Sequence, residues 1–234
     1  MFDLTRTCLG FYFVPYAPDA DGFPDEADDL PGFTQAEKLF MDRVRFMLCG
    51  RDDYLQALSC LENALEVRLH TGGVFGAGDV WFEGRVTREA DQIVLELAID
   101  EIIAPRGQAL DVVAHEVAHV LDMMSEHDGM LPFLDRQERA EWEELRATEK
   151  ARITAGRSPL DPYALTNDRE FLAVAVETFF ARSVKLRLGA PRLWEFLHGV
   201  FRVNPEQHGL GLLDLAPCNG RTTPCPEKCA KDCA

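Results

Sequence analysis

The five residues His115-Glu116-Val117-Ala118-His119 carry the types and the spacing needed for metal chemistry. Histidines four positions apart lie one helical turn above each other, with Cβ atoms about 5–6 Å apart. Both imidazoles can then reach a single ion. Glu116 follows the first of them. It reaches too short a distance to be a good third ligand, but it stands beside the water that such an ion activates. Two imidazoles on Zn²⁺ with the intervening carboxylate as general base is the arrangement of zinc hydrolases. Packing alone explains these residues less well, because a glutamate is seldom buried without a partner.

Two histidines do not complete the site, since catalytic zinc takes three protein ligands and keeps one position open. Glu170 and Glu177 are the candidates for the third. Both stand in the otherwise apolar segment NDREFLAVAVETFFAR (167–182), where an unpaired carboxylate is costly and a metal removes the cost. Glu170 has a rival use. With Asn167 as cap it occupies the third helical position, where a glutamate often reaches back to the cap amide. Spacing favours Glu170 only slightly. Glu177 otherwise serves as acceptor for the second N–H of a ligand histidine, or as a partner of Arg182. His70 reads as a helix-end residue facing the dipole, and His127 as a surface residue.

The elements that must position these groups are mostly helical. Leu110, Val113, Val117 and Leu121 recur at spacings of three and four, and no proline or glycine interrupts 108–126, so the histidines lie on a helix with Asp111 in its first turn. Upstream, a helix is expected over Thr34–Cys49, with Thr34 and Glu37 as a capping box, and another from Asp52 to about His70. The glycine-punctuated stretch 74–106 reads as turns between short strands, Gln92–Ile99 being the clearest. Downstream, a charged helix is expected over Asp135–Ala155 with Glu138 closing a capping box, then the buried helix over 167–182 and a last one over Pro191–Phe201. The fold class is therefore α+β and mainly helical, with a small sheet beside the histidine helix.

The 234 residues are 47% hydrophobic and 27% charged, which fits one globular domain of ordinary core size. A net charge of −16 argues against nonspecific binding to nucleic acid or anionic membrane. No apolar run approaches the roughly 20 residues of a membrane span. The start, with Asp3 in place of a basic n-region, reads as no signal peptide. Seven cysteines, an odd number, fit a reducing, cytoplasmic compartment. Residues 1–215 are expected to form a single domain with an irregular segment over 1–33, and 216–234 a Cys/Pro-rich tail. In that tail Cys218, Cys225, Cys229 and Cys233 leave a structural zinc or a pair of disulfides open, but they match no standard zinc spacing, and the neighbouring prolines favour a loose segment.

Three blocks, HEVAHVLD, PYALTNDREFLAVAVETFF and APRLWEFLHGVF followed by NP, resemble the zinc-dependent peptidases related to Mlc titration factor A. Their metalloprotease core is in turn similar to the catalytic domain of anthrax lethal factor. The resemblance covers residues 90–205 and is strongest in the first two blocks. It implies a zincin-like metalloprotease domain holding one Zn²⁺ on His115, His119 and Glu170, with Glu116 as base. Tyr163, seven residues before Glu170 with Asn167 between them, is implied to face the substrate oxyanion, and Asp122 to be a structural partner of the site. Val117 and Leu172 stand where the family often has phenylalanine, and Thr178 replaces a bulkier aromatic; these are packing changes. The implied activity is peptide-bond hydrolysis, with an aminopeptidase-like kind among its forms, on a peptide or protein substrate. The alternative is a non-catalytic zinc-containing protein that sequesters a regulatory partner such as a transcriptional repressor. Intact Glu116 and Tyr163 favour the enzyme.

Overall fold

A four-stranded sheet forms the floor beneath the histidine helix. The computed structural model describes residues 12–16, 32–59, 65–71, 74–75, 81–90, 92–103 and 111–206. Strands β1 (Tyr12–Tyr16), β2 (Leu65–His70), β5 (Gly84–Glu89) and β6 (Gln92–Ala98) lie in the order β1-β2-β6-β5. β1, β2 and β6 run parallel, while β5 is antiparallel to β6 and forms one edge. β3 (Val74–Phe75) and β4 (Trp81–Phe82) make a separate two-stranded ribbon. In β2 and β6, Leu65, Val67, Leu69, Ile93, Leu95 and Leu97 alternate onto one face and join the main core.

The helices cover that face. α4 (Val112–Met123) packs on β5, β6, α1 (Phe33–Leu48) and α6 (Asp168–Ala181). Asp111 is the N-cap of α4, its side chain accepting from the Ala114 amide at 3.2 Å, rather than a residue of the first turn. α5 (Arg136–Thr154) starts at the expected capping box, formed by Asp135 and Glu138. α8 (Pro191–Phe201) has the expected bounds, with proline in its first turn. Trp142 of α5 anchors the helical side. It is 1% exposed, donates from Nε1 to the Gly129 carbonyl at 2.7 Å, and lies 5.6 and 5.4 Å from the Phe171 and Phe196 rings.

Several expectations fail for identifiable reasons. The segment from Asp52 is not one helix: α2 spans Asp52–Ser59, and Leu65–His70 is a strand between two partners. The leucines at 55, 58, 61, 65 and 69 follow a helical period, but Leu65, Val67 and Leu69 also alternate, and pairing on both edges decides for the strand. His70 therefore ends a strand rather than a helix, 3% exposed and 3.2 Å from Glu96. α1 begins one residue before Thr34, so the Thr34–Glu37 box does not form; Gly32 at φ +80° precedes it without a side-chain cap. Residues 12–16, assigned to an irregular segment, form the other edge strand. Two short helices, α3 (Ile99–Ile103) and α7 (Ser183–Gly189), have no counterpart in the expected pattern. Cys49 is half-buried against the core. Cys218, Cys225, Cys229 and Cys233 lie outside the described residues, as does the rest of the tail. Among the described residues no helix is long and apolar enough to cross a membrane.

Candidate metal centre

The one-turn spacing on α4 sets the His115 and His119 rings 5.0 Å apart at 74°. Helix α6 crosses α4 and brings Glu170 to them. Its Oε2 lies 3.3 Å from His115 Nε2 and 3.4 Å from His119 Nε2. One ligand atom from each of the three residues fits within 4.8 Å of the others, the only such group of three or more among the described residues. The rival use of Glu170 resolves here. Asn167 Oδ1 accepts from the Glu170 amide at 2.9 Å, so the backbone serves the cap while the carboxylate faces the imidazoles. Glu177, two turns on, is bonded to His115 Nδ1 at 3.0 Å, which makes it an acceptor for a ring nitrogen of that histidine. A carboxylate on Nδ1 leaves Nε2 directed at the other donors.

Glu116 is 5% exposed, and its Oε2 has no hydrogen-bond partner among the described residues. Strand β5 presses on it: a Cβ built on Gly84 would stand 2.8 Å from Glu116 Cγ and 3.0 Å from Oε1. Gly84 thus allows the edge strand to approach the carboxylate, and it is the first residue of that strand rather than part of a turn. Tyr163 comes from a short 3-10 helix over Pro162–Leu165, set by Asp161, whose side chain accepts from the Tyr163 amide. The residue is 52% exposed, and its ring centroid lies 6.3 Å from that of His115. All six of these side-chain groups, His115, Glu116, His119, Tyr163, Glu170 and Glu177, line one cavity of about 600 Å³, walled on one side by 83–86. His127 is exposed and lies apart, as expected.

The electrostatics follow from burial against charge pairing. Burial works against an imidazolium at His115, but the neighbouring Glu170 and Glu177 carboxylates outweigh it and raise its pKa to about 10. Burial likewise works against the Glu170 anion, and the two imidazoles overcome it, lowering that pKa to about 2. For Glu116 burial dominates and raises the pKa, although His115 and His119 oppose it. The Tyr163 hydroxyl is raised first by burial and then by the charges of Glu170 and Glu116. The donor set fits a divalent cation: two imidazoles, one carboxylate, and buried Glu116 and Glu170 oxygens that lack hydrogen-bond partners within the described chain.

Sequence reasoning missed three neighbours, Gly84, Asp161 and Arg169. A lone glycine entering a strand marks a close backbone approach and could have been read. Nothing in the sequence places β5 against α4.

These features define an α+β, mainly helical, zincin-like fold of the metallopeptidase class. The chain belongs to the family of the glucose-regulated metallo-peptidase M90, whose model matches residues 67–202. It is 29% identical over 147 residues to a Mlc titration factor A of Salmonella gallinarum, covering 59% of this chain and 52% of that protein. A Mlc titration factor A of Salmonella arizonae is 28% identical over 147 residues, 59% of this chain and 55% of its own length. The uncharacterized protein slr2042 of Synechocystis is 31% identical over 101 residues, 41% of this chain and 37% of the relative. The chain thus spans about half the length, or less, of these relatives.

Proposed function

We propose that the chain is a zinc-dependent peptidase, with His115, His119 and Glu170 as the ligands, Glu116 as general base and Tyr163 as a donor to the substrate oxygen. The observation that carries this reading is the convergence of two imidazoles and the Glu170 carboxylate beside a buried Glu116 oxygen that has no hydrogen-bond partner among the described residues. When bound, zinc supplies a Lewis acid that polarises the scissile carbonyl and acidifies water. Glu116 takes a proton from the water that attacks the carbonyl carbon and later delivers it to the leaving amine. A buried carboxylate whose pKa is raised is suited to both halves of that transfer. Tyr163 donates its hydroxyl proton in a hydrogen bond to the carbonyl oxygen as negative charge develops there. Its partial exposure leaves the ring free to meet a substrate in the cavity. Glu177 holds the His115 ring through Nδ1. The edge strand keeps Glu116 from swinging away.

The direct test is metal content and turnover of a chromogenic amino-acid amide by the full chain. One zinc per chain and chelator-sensitive hydrolysis are expected, and a metal-free, inactive protein refutes the reading. Tyr163→Phe is expected to lower kcat by about 10²-fold, as for loss of one oxyanion donor, with metal content unchanged. Steady-state kinetics on the zinc-loaded variant checks this. Glu177→Gln is expected to weaken zinc binding by about 10–100-fold, since it replaces the charged acceptor of a ligand histidine. Chelator competition checks it.

The relatives' name, a titration factor for Mlc, supports a second reading in which the chain binds a regulatory protein. Glu116→Gln separates the two, because binding needs no general base. The proposed extent is a single peptidase domain over 1–215 with the cysteine-bearing tail outside it, in a reducing cytoplasmic setting.

A further inference from the structure

Arg169, the residue before Glu170, is tied to the metal helix itself. Its Nε lies 3.3 Å from Oδ2 of Asp122, and its Nη2 donates to Oδ1 of Asp128 at 2.6 Å. Asp122 stands in the last turn of α4, three residues after His119, and is 3% exposed. Its Oδ1 accepts from the amides of Gly129 and Met130 at 2.6 and 3.1 Å. That leaves one oxygen and one buried charge for Arg169 to meet. The same corner is tied down on its other side. Asp168 accepts from Lys150 Nζ at 2.5 Å and pairs with Arg146 at 3.4 Å. Gly129 approaches so closely that a Cβ on it would stand 2.5 Å from the Asp168 carbonyl oxygen.

We infer that Arg169 is a positioning residue, whose ion pair with the buried Asp122 fixes the first turn of α6 against the last turn of α4 and so sets the distance from Glu170 to the two imidazoles. This rests on the metal reading given above. Both histidines ride on one rigid helix, so their mutual spacing needs no outside help. Glu170 comes from another helix, and its distance depends on how the two are joined. Metal sites tolerate ligand displacements of only about 0.2 Å. An ion pair one residue from the ligand is the shortest available link. Arg169 also lines the cavity, with a side chain 47% exposed, so contact with a substrate carboxylate is the competing role.

The two roles differ in what they move. Zinc affinity of the full chain is measured by competition with a chromogenic chelator for Arg169→Gln, Arg169→Lys, Asp122→Asn and the double variant Arg169→Gln/Asp122→Asn. Arg169→Gln is expected to weaken zinc binding by about 10–100-fold, with KM of the zinc-loaded enzyme within about twofold of the wild type. Arg169→Lys keeps the charge and recovers part of that loss. Asp122→Asn keeps an oxygen for the two amides and loses zinc affinity as Arg169→Gln does, and the double variant is no weaker than the worse single one. The thermal midpoint of the metal-free Arg169→Gln chain falls, because the buried Asp122 carboxylate loses its counter-charge, but the chain stays folded because Asp122 keeps its two amide donors. Unchanged zinc affinity in Arg169→Gln overturns the inference, and unchanged affinity with a raised KM assigns the residue to substrate instead. A wild-type chain that takes up no zinc removes the metal reading itself, so the wild-type measurement separates the two failures.

Discussion

Glu116→Gln is expected to lower kcat by about 10²–10⁴-fold, the contribution of a positioned general base, while zinc stays at one ion per chain. The substitution is close to isosteric, so the contact between Gly84 and residue 116 survives. It also removes a charge that burial already disfavours, so folding stability should hold or rise. A fall in turnover without a fall in stability or metal content leaves proton transfer as the lost step. The split between kcat and KM carries further information. A base acting only on the attacking water affects kcat and kcat/KM alike, whereas a group that merely binds substrate raises KM. Undiminished hydrolysis in this variant would eliminate Glu116 as base. Retained binding of a regulatory protein by the inactive variant would show that the peptidase reading and the titration reading describe separable activities of one chain.

The elements that carry the histidine–glutamate cluster were legible in the sequence because each is specified by local signals. α4 announces itself through a 3-4 apolar repeat and a paired histidine, and α5 through a capping box that forms as written. α6 likewise follows from an asparagine cap and an apolar run. The choice between Glu170 and Glu177 was not legible, since both stand on the same helix and only its crossing angle with α4 decides which carboxylate meets Nε2 and which meets Nδ1. The sheet was harder still. Leu65–His70 becomes a strand because β1 and β6 pair with it on either side, and no residue between 52 and 70 reports those partners. Tyr12–Tyr16 was hidden among prolines and acidic residues for the same reason. The wall formed by Gly84 belongs to β5, inside the stretch expected to hold short strands; what was not legible is that this strand packs against α4.

Removing both imidazoles, as His115→Ala/His119→Ala, is expected to abolish stoichiometric zinc binding and with it the stabilisation that zinc confers. Any ligand bound by the folded chain alone stabilises it by RT ln(1 + [L]/Kd), which is about 2.7 kcal/mol at a hundredfold excess over Kd. Zinc should therefore raise the unfolding free energy of the wild type by about that amount and leave the double variant unmoved. The seven cysteines and the remaining histidines give unfolded chains some affinity for zinc, which subtracts from the effect. In the double variant this term acts alone, so zinc should lower its stability slightly. The opposite signs are what make the comparison decisive, since general stiffening by surface-bound zinc would move both chains upward. The variant also leaves Glu116, Glu170 and Glu177 together in one cavity without the imidazoles that face them. Crowded carboxylates favour their protonated forms, so the metal-free variant should gain stability as pH falls from neutrality toward the ordinary carboxylate range. Equal zinc-dependent stabilisation of both chains, measured by denaturant unfolding with and without the ion, would place the metal elsewhere and leave the α4–α6 corner as packing alone.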